Sequence, residues 1–266
     1  MRHLFLAALA LSAAVPVSAQ LAAPNAKGVT YGHVHLTVAE MDVHTALWQE
    51  HFGGQVVTKG PLTVVKIPNM LIAFQERAPT GPSQGSVMDH FGLKVRDIEP
   101  VVAKWRAAGL EVQSEFTGAE GNANAYLLAP DGVRIELQED PALTVPVSGY
   151  HVHWMTDQYQ EIMAWYADFF GATVRPRGSI ETTADVPGLN LSFQTCQAEC
   201  APTRGRAIDH IGFEIDNLVE FVRGMQARGV TFEAEPRFIE SIGLTIVYFT
   251  DPSGVRVELT EGYDEY

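Results

Sequence analysis

The apolar positions of this chain fall into blocks of two periods that recur four times. Residues 32–38 alternate apolar and polar types, the pattern of a half-buried strand. The spacing turns helical over 41–52, and three strand-like runs follow at 56–58, 62–67 and 71–75. A second block repeats this order: strand 90–95, helix 97–108, then strands 111–116, 125–129 and 133–138. Asp97 suits the start of that helix and Gly109 its end. A third block spans 150–194 and a fourth 208–260, with Asp216 and Gly229 expected to bound the fourth helix in the same way. Polar, Pro/Gly-bearing links are expected at 79–85 and 201–205, and residues 141–148 form the best boundary between the halves. The pattern predicts strand, helix and three strands, four times over, and so an α+β fold of four βαβββ modules.

Chemistry-bearing residues repeat with the elements. His33-Val34-His35 opens the first half and His151-Val152-His153 the second. Each is followed, after a closely similar interval, by an Asp-His pair: Asp89-His90 and Asp209-His210. Each half closes on Gly-Val-Arg-x-Glu-Leu, with Glu136 in one copy and Glu258 in the other. A lone His on an apolar strand is usually a hydrogen-bonded core residue, and a lone Glu usually sits at a strand end. Two His and one carboxylate delivered from separate strands are instead the ligand set of a mononuclear metal centre with open positions. Alternation aims Glu136 and Glu258 to the same side as Arg134 and Arg256. A carboxylate buried there costs several kcal/mol unless it is paired, and a dication with two histidines would offset that cost.

Composition narrows the setting. At 46% hydrophobic and 19% charged residues the chain is expected to fold rather than stay disordered. A formal net charge of −14 excludes non-specific binding to nucleic acid or an anionic membrane. Residues 1–19 carry Arg2, an apolar run over 4–15 and the small-residue end Val17-Ser18-Ala19, the signature of a cleaved signal peptide. No later stretch is long enough to span a bilayer. The expected protein is periplasmic or secreted, and Cys196 and Cys200 could close a local disulfide there.

With these residues in place, the chain resembles the vicinal oxygen chelate superfamily: glyoxalases, fosfomycin- and bleomycin-resistance proteins, methylmalonyl-CoA epimerases and extradiol dioxygenases. The resemblance runs from about Tyr31 to Glu261. It implies that the four modules pair into two tandem domains, 30–140 and 149–262, each a curved half-open barrel around a metal. It nominates His33, His90 and Glu136 as one ligand set and His151, His210 and Glu258 as the other. The implied cofactor is a divalent ion, Fe, Mn or Zn, and the implied partner a small-molecule substrate. Homo-oligomerisation stays open.

The resemblance also divides the possible chemistries. The position that supplies a carboxylate ligand in glyoxalase I falls on Ala73 and Ser192, which counts against glyoxalase-type isomerisation. Gln75 and Gln194 lie on the same strand face. Extradiol dioxygenases carry a Tyr ten residues before the ligand Glu, where this chain has Tyr126 and Tyr248. Their acid-base His is missing from 187–195, and His35 and His153, aimed into the same concavity as His33 and His151, are the nearest compensation. His44 and His51 are expected at the surface. Three readings follow: a dioxygenase-like metal enzyme, slightly favoured; a metal-dependent isomerase, lyase or transferase; or a non-catalytic binding protein. Ferrous iron oxidises readily outside the cytoplasm, which keeps Mn²⁺ and Zn²⁺ in play.

Overall fold

The structure, a computed structural model, describes residues 21–263. The expected signal segment, 1–19, lies outside the described residues. Among them, no helix is long and apolar enough to cross a membrane.

The four modules form as the periodicity predicts. The first comprises β1 (Val29–Val38), α1 (Met41–Phe52), β2 (Gln55–Lys59), β3 (Leu62–Ile67) and β4 (Met70–Glu76). The second comprises β5 (Met88–Val95), α2 (Ile98–Ala107), β6 (Glu111–Thr117), β7 (Ala123–Ala129) and β8 (Val133–Glu139). The third has β9 (Val147–Met155), α3 (Tyr159–Phe170), β10 (Thr173–Val174), β11 (Thr183–Val186) and β12 (Leu189–Gln194). The fourth has β13 (Ile208–Ile215), α4 (Leu218–Ala227), β14 (Arg237–Ile239), β15 (Leu244–Thr250) and β16 (Arg256–Glu261). Asp97 caps α2 through its side chain, accepting from the Glu99 N–H. The fourth helix is capped by Asn217 rather than the expected Asp216, because the Asn side chain is the one that accepts from Glu220 N–H.

The modules pair into two mixed eight-stranded sheets. One runs β14-β15-β16-β13-β1-β4-β3-β2 and the other β10-β11-β12-β9-β5-β8-β7-β6. The first sheet therefore joins modules one and four through the antiparallel β1/β13 ladder. The second joins modules two and three through β5/β9. Each sheet thus draws one module from either half. Connection length gives the physical reason. Residues 140–146 form a short link, which sets β9 beside β5 in one sheet, and short connections favour such neighbours. The longer links, 77–87 and 195–207, cross between sheets and touch through the parallel Ser86/Ala201 bridge. Cys196 and Cys200 are joined as a disulfide in the second of these links.

The main core is formed by apolar side chains of the helices and the strand faces beneath them, including Trp48, Phe91, Trp105, Tyr166, Phe193 and Phe213. A separate apolar cluster of Val64, Leu71, Ala73, Ile242, Leu244 and Tyr263 belongs to the first sheet alone. It lies on the His33 face, since His33 and His35 pair in register with Leu71 and Ala73 and Tyr263 packs 4.9 Å from the His33 ring. His44 is buried rather than exposed. Its Nε2 lies 3.1 Å from Asp131 Oδ2, so a carboxylate across the fold pulls this helix face inward. His51 is half-buried against Trp105.

Candidate metal centres

Two groups of side chains that could hold a metal ion come together, and each combines residues from both halves of the chain. His33, His35, His210 and Glu258 form one in the first sheet; His90, Glu136, His151 and His153 form the other in the second. This corrects the expected grouping, in which His33 joined His90 and Glu136. The six nominated residues all converge, but with exchanged partners, because modules one and four share a sheet and modules two and three share the other.

The ladders explain the convergence. In the first sheet His33 faces Gly212 and His35 faces His210 across β1/β13, while Gly212 is in register with Glu258. In the second, His151 faces Gly92 and His153 faces His90, with Gly92 in register with Glu136. The glycine follows each Asp-His pair by two residues, in Asp89-His90-Phe91-Gly92 and Asp209-His210-Ile211-Gly212. A Cβ on Gly212 would stand 2.0 Å from Cε1 of His33, and one on Gly92 would stand 2.0 Å from Cε1 of His151. These two positions must lack a side chain for the opposing imidazole to reach the cluster. That repeated spacing was visible in the sequence and would have identified both residues.

In the first sheet, Glu258 Oε2 lies 2.9 Å from His33 Nε2 and 3.0 Å from His210 Nε2. The other carboxylate oxygen accepts from the Tyr248 hydroxyl at 2.7 Å. Asp209 Oδ1 takes the Nδ1–H of His210 at 2.6 Å, and Arg256 donates to the same oxygen at 3.2 Å. The second sheet repeats the scheme. Glu136 Oε2 is 3.0 Å from both His90 Nε2 and His151 Nε2. Asp89 holds His90 Nδ1 at 2.7 Å, and Arg134 supports Asp89 at 2.6 Å. Here Asn124 donates to the second Glu136 oxygen at 2.6 Å. Tyr126 packs its ring against Arg134 and His90.

The electrostatics match a cation-binding cluster. Burial opposes ionisation of Glu258, yet His210 and His33 hold its carboxyl well below the usual range. Burial is likewise overcome at Glu136, chiefly by His151. Burial lowers the pKa of His33 against the pull of Glu258, and brings His151 down to about 4. Burial, with His210 and His33 beside it, depresses His35 well below its ordinary value. His210 is raised: its burial is outweighed by Asp209 and Glu258.

Hydrogen-bond accounting shows that these residues fit a metal. Asp209, kept ionised by His210, Gly205 N–H and Arg256 against its burial, can only accept, so His210 donates through Nδ1. In its neutral form His210 presents a lone pair at Nε2 to a carboxylate oxygen 3.0 Å away, a place that a metal ion fills as well as the ring proton that Asp209 and Glu258 favour. Two acceptors at that distance need a proton or a metal ion between them. His33 adds a second nitrogen aimed at the same oxygen, and neither of its buried ring nitrogens has a hydrogen-bond partner of good geometry. A carboxylate fixing Nδ1 so that Nε2 is free to ligate is the usual support of a metal-bound histidine. Ligand atoms about 3.0 Å apart also suit an ion with right-angled bonds of about 2.1 Å.

The sequence did not reveal three residues of the second cluster. Arg177, buried, donates to His153 Nε2 at 3.0 Å and to Ser192 Oγ at 3.1 Å. Glu120 faces Arg177 at 3.5 Å and accepts from Tyr150 and Gln138. Asn124 is the third. None belongs to a motif that repeats in both halves. His35 stacks on His210 at 4.3 Å and His153 on His90 at 4.4 Å, but His153 has its Nε2 lone pair engaged by a guanidinium, whereas His35 lines an open cavity.

The model of the Glyoxalase/Bleomycin resistance protein/Dioxygenase superfamily matches this sequence twice, over residues 30–137 and 150–259. The chain belongs to that superfamily. No curated protein matches the sequence significantly. Among solved structures, glyoxalase I from Zea mays superposes with a TM-score of 0.68 at 15% identity, covering 89% of this chain and 94% of its own. A Bacillus subtilis protein named "putative dioxygenase" superposes with a TM-score of 0.67 at 13% identity, covering 88% of this chain and 86% of its own. At these identities the likeness is one of fold.

Proposed function

We propose that this chain is a divalent-metal-dependent enzyme acting on a small molecule that chelates through neighbouring oxygens, with dioxygenase-like chemistry favoured. The observation that carries the reading is the arrangement around Glu258: two imidazole nitrogens converge on one of its oxygens, and a tyrosine hydroxyl is bonded to the other. His33, His210 and Glu258 would hold the ion in the first sheet, and His90, His151 and Glu136 in the second. Once bound, the ion supplies Lewis acidity and, when redox-active, the electron transfer an oxygenase requires.

The chain's own groups do the rest. Asp209 fixes the His210 ring, and Arg256 keeps Asp209 in place. Tyr248 orients the Glu258 carboxylate and lines the cavity from which substrate would approach. His35 lines the same cavity, where burial keeps its ring neutral and able to accept a hydrogen bond from a substrate hydroxyl. Alanine at 73 and serine at 192 leave no carboxylate in register with His35 or His153, which speaks against a glyoxalase-type base. The same reading takes residues 1–19 as an export signal and the protein as periplasmic or secreted; the Cys196–Cys200 bond supports an oxidising compartment.

The test is turnover of chelating substrates by metal-loaded protein in an oxygen electrode. The dioxygenase reading expects oxygen uptake matched to substrate loss, and no turnover under anaerobic conditions. Undiminished anaerobic turnover with Mn²⁺ or Zn²⁺ would move the assignment to an isomerase, lyase or transferase. Tight ligand binding by metal-free protein without turnover would leave only a binding function.

A further inference from the structure

The two clusters are near copies in their ligands, but the walls around them have diverged position by position. In the first sheet the positions beside the histidines are Leu71 and Ala73, in register with His33 and His35. In the second they are Asn190 and Ser192, in register with His151 and His153. One strand further out, Val64 opposite Ala73 corresponds to Thr183 opposite Ser192. On the other flank, Ile246 paired with Thr260 corresponds to Asn124 paired with Gln138. Every one of these contrasts runs the same way. The first concavity has an apolar wall, and the second a hydrogen-bonded polar one.

The mouths differ likewise. The first cluster opens on a cavity of 560 Å³ lined, beside His35, His210 and Tyr248, by the apolar Met41, Leu62 and Ile242 and by Gln75, Glu76 and Arg256. The Lys59/Leu62 pair of the first sheet is matched in the second by the Arg177/Ile180 bridge. The second cluster opens on a cavity of 420 Å³ where Arg134 and Gln194 repeat Arg256 and Gln75, and where Gln84, Gln197 and Glu199 are added with Met155 and Ala198 as the apolar lining. Beside the cluster lies buried Arg177, which bonds His153 and Ser192 and ion-pairs with Glu120. Lys59 holds the position matching Arg177, each preceding a glycine of φ 56°, and its Nζ lies beside Gly243.

We infer that the first-sheet centre is the one that takes substrate, and that its substrate carries an apolar body behind the chelating oxygens, seated against Leu62 and Ile242. The inference rests on the metal-enzyme reading above and deepens it by assigning the working site and the substrate class. The second centre, with a buried guanidinium beside it and polar walls, offers no place for such a body. Burying an uncharged hydrocarbon against hydrogen-bonded amides gains little, whereas each methylene buried on an apolar wall tightens binding about fourfold.

The test uses alkyl hydroxamates, which chelate through neighbouring oxygens, titrated calorimetrically into full-length metal-loaded protein. Affinity should rise about fourfold per methylene from acetohydroxamate toward octanohydroxamate until the cavity is filled. Leu62→Glu and, separately, Ile242→Ser should erase that chain-length gain while acetohydroxamate still binds, and Ile180→Glu in the second sheet should leave it unchanged. Far-ultraviolet circular dichroism checks that each variant is folded. Acetohydroxamate binding with no gain along the series overturns the inference and leaves the metal centre standing. A gain that survives both Leu62→Glu and Ile242→Ser also overturns it. Binding of the long chain through Leu62, equal with and without metal, supports the apolar seat but defeats the metal-enzyme reading. Failure of every hydroxamate to bind overturns both.

Discussion

Gly212→Ala is the most demanding small change this structure suggests. The added Cβ would stand 2.0 Å from Cε1 and 2.2 Å from Nδ1 of His33. Non-bonded carbons settle near ~3.5 Å, so the ring or its strand must retreat by ~1.5 Å. His33 is fully buried on β1, and Tyr263 packs against its ring, so the retreat has little room. Ligand distances at a metal centre tolerate about 0.2 Å. A displacement several times larger removes His33 as a ligand, and metal affinity at the first-sheet centre should fall by more than about 100-fold. The overpacking should also cost about 1–3 kcal/mol of stability. Metal titration by calorimetry, with elemental analysis of the dialysed protein, reads the effect. The second-sheet centre serves as an internal control, since Gly92 and His151 are untouched. Full metal content and unaltered affinity at both centres would refute the argument, as would loss confined to the His151 centre.

Tyr248→Phe removes the hydroxyl that holds Glu258 Oε1 and should weaken metal binding at the first-sheet centre by about tenfold or more; unchanged affinity in a metal titration would deny Tyr248 its orienting role. His44 carries a pH-dependent share of stability: burial lowers its pKa from 6.5 against the pull of Asp131, so the unfolded chain binds the extra proton first. Its contribution is therefore present above pH 6.5 and lost as pH falls below it. Urea midpoints measured at about pH 7.5 and about pH 5 should differ less in His44→Gln than in the wild type; identical pH dependence would contradict this.

The ligand types were legible because a repeat that keeps His, His and Glu while its surroundings change isolates them. The strands and three of the helix boundaries were legible because period and capping residues agree, as at Asp97 and the glycines after the helices. What the sequence hid is which module meets which. His33 and His151 occupy equivalent places in equivalent modules, so their sequence neighbourhoods are alike whether each half closes on itself or exchanges partners. The choice lies in three dimensions, with the short 140–146 link and the β1/β13 and β5/β9 ladders. Arg177 was hidden for another reason: its role comes from reaching His153 and Ser192 across the sheet, and no spacing along the chain records that. His44 looked like a surface residue because its partner, Asp131, lies far along the chain.

The central claim is that each centre is built from both halves, and metal stoichiometry of paired variants tests it most directly. His33→Ala and His210→Ala should each remove the same bound ion, so the double variant His33→Ala/His210→Ala should hold no less metal than either single variant. His33→Ala/His90→Ala should lose the ions of both centres. If instead His33→Ala/His90→Ala lost no more than a single variant, and His33→Ala/His210→Ala emptied both centres, each half would close on itself and the exchanged pairing of modules would be wrong.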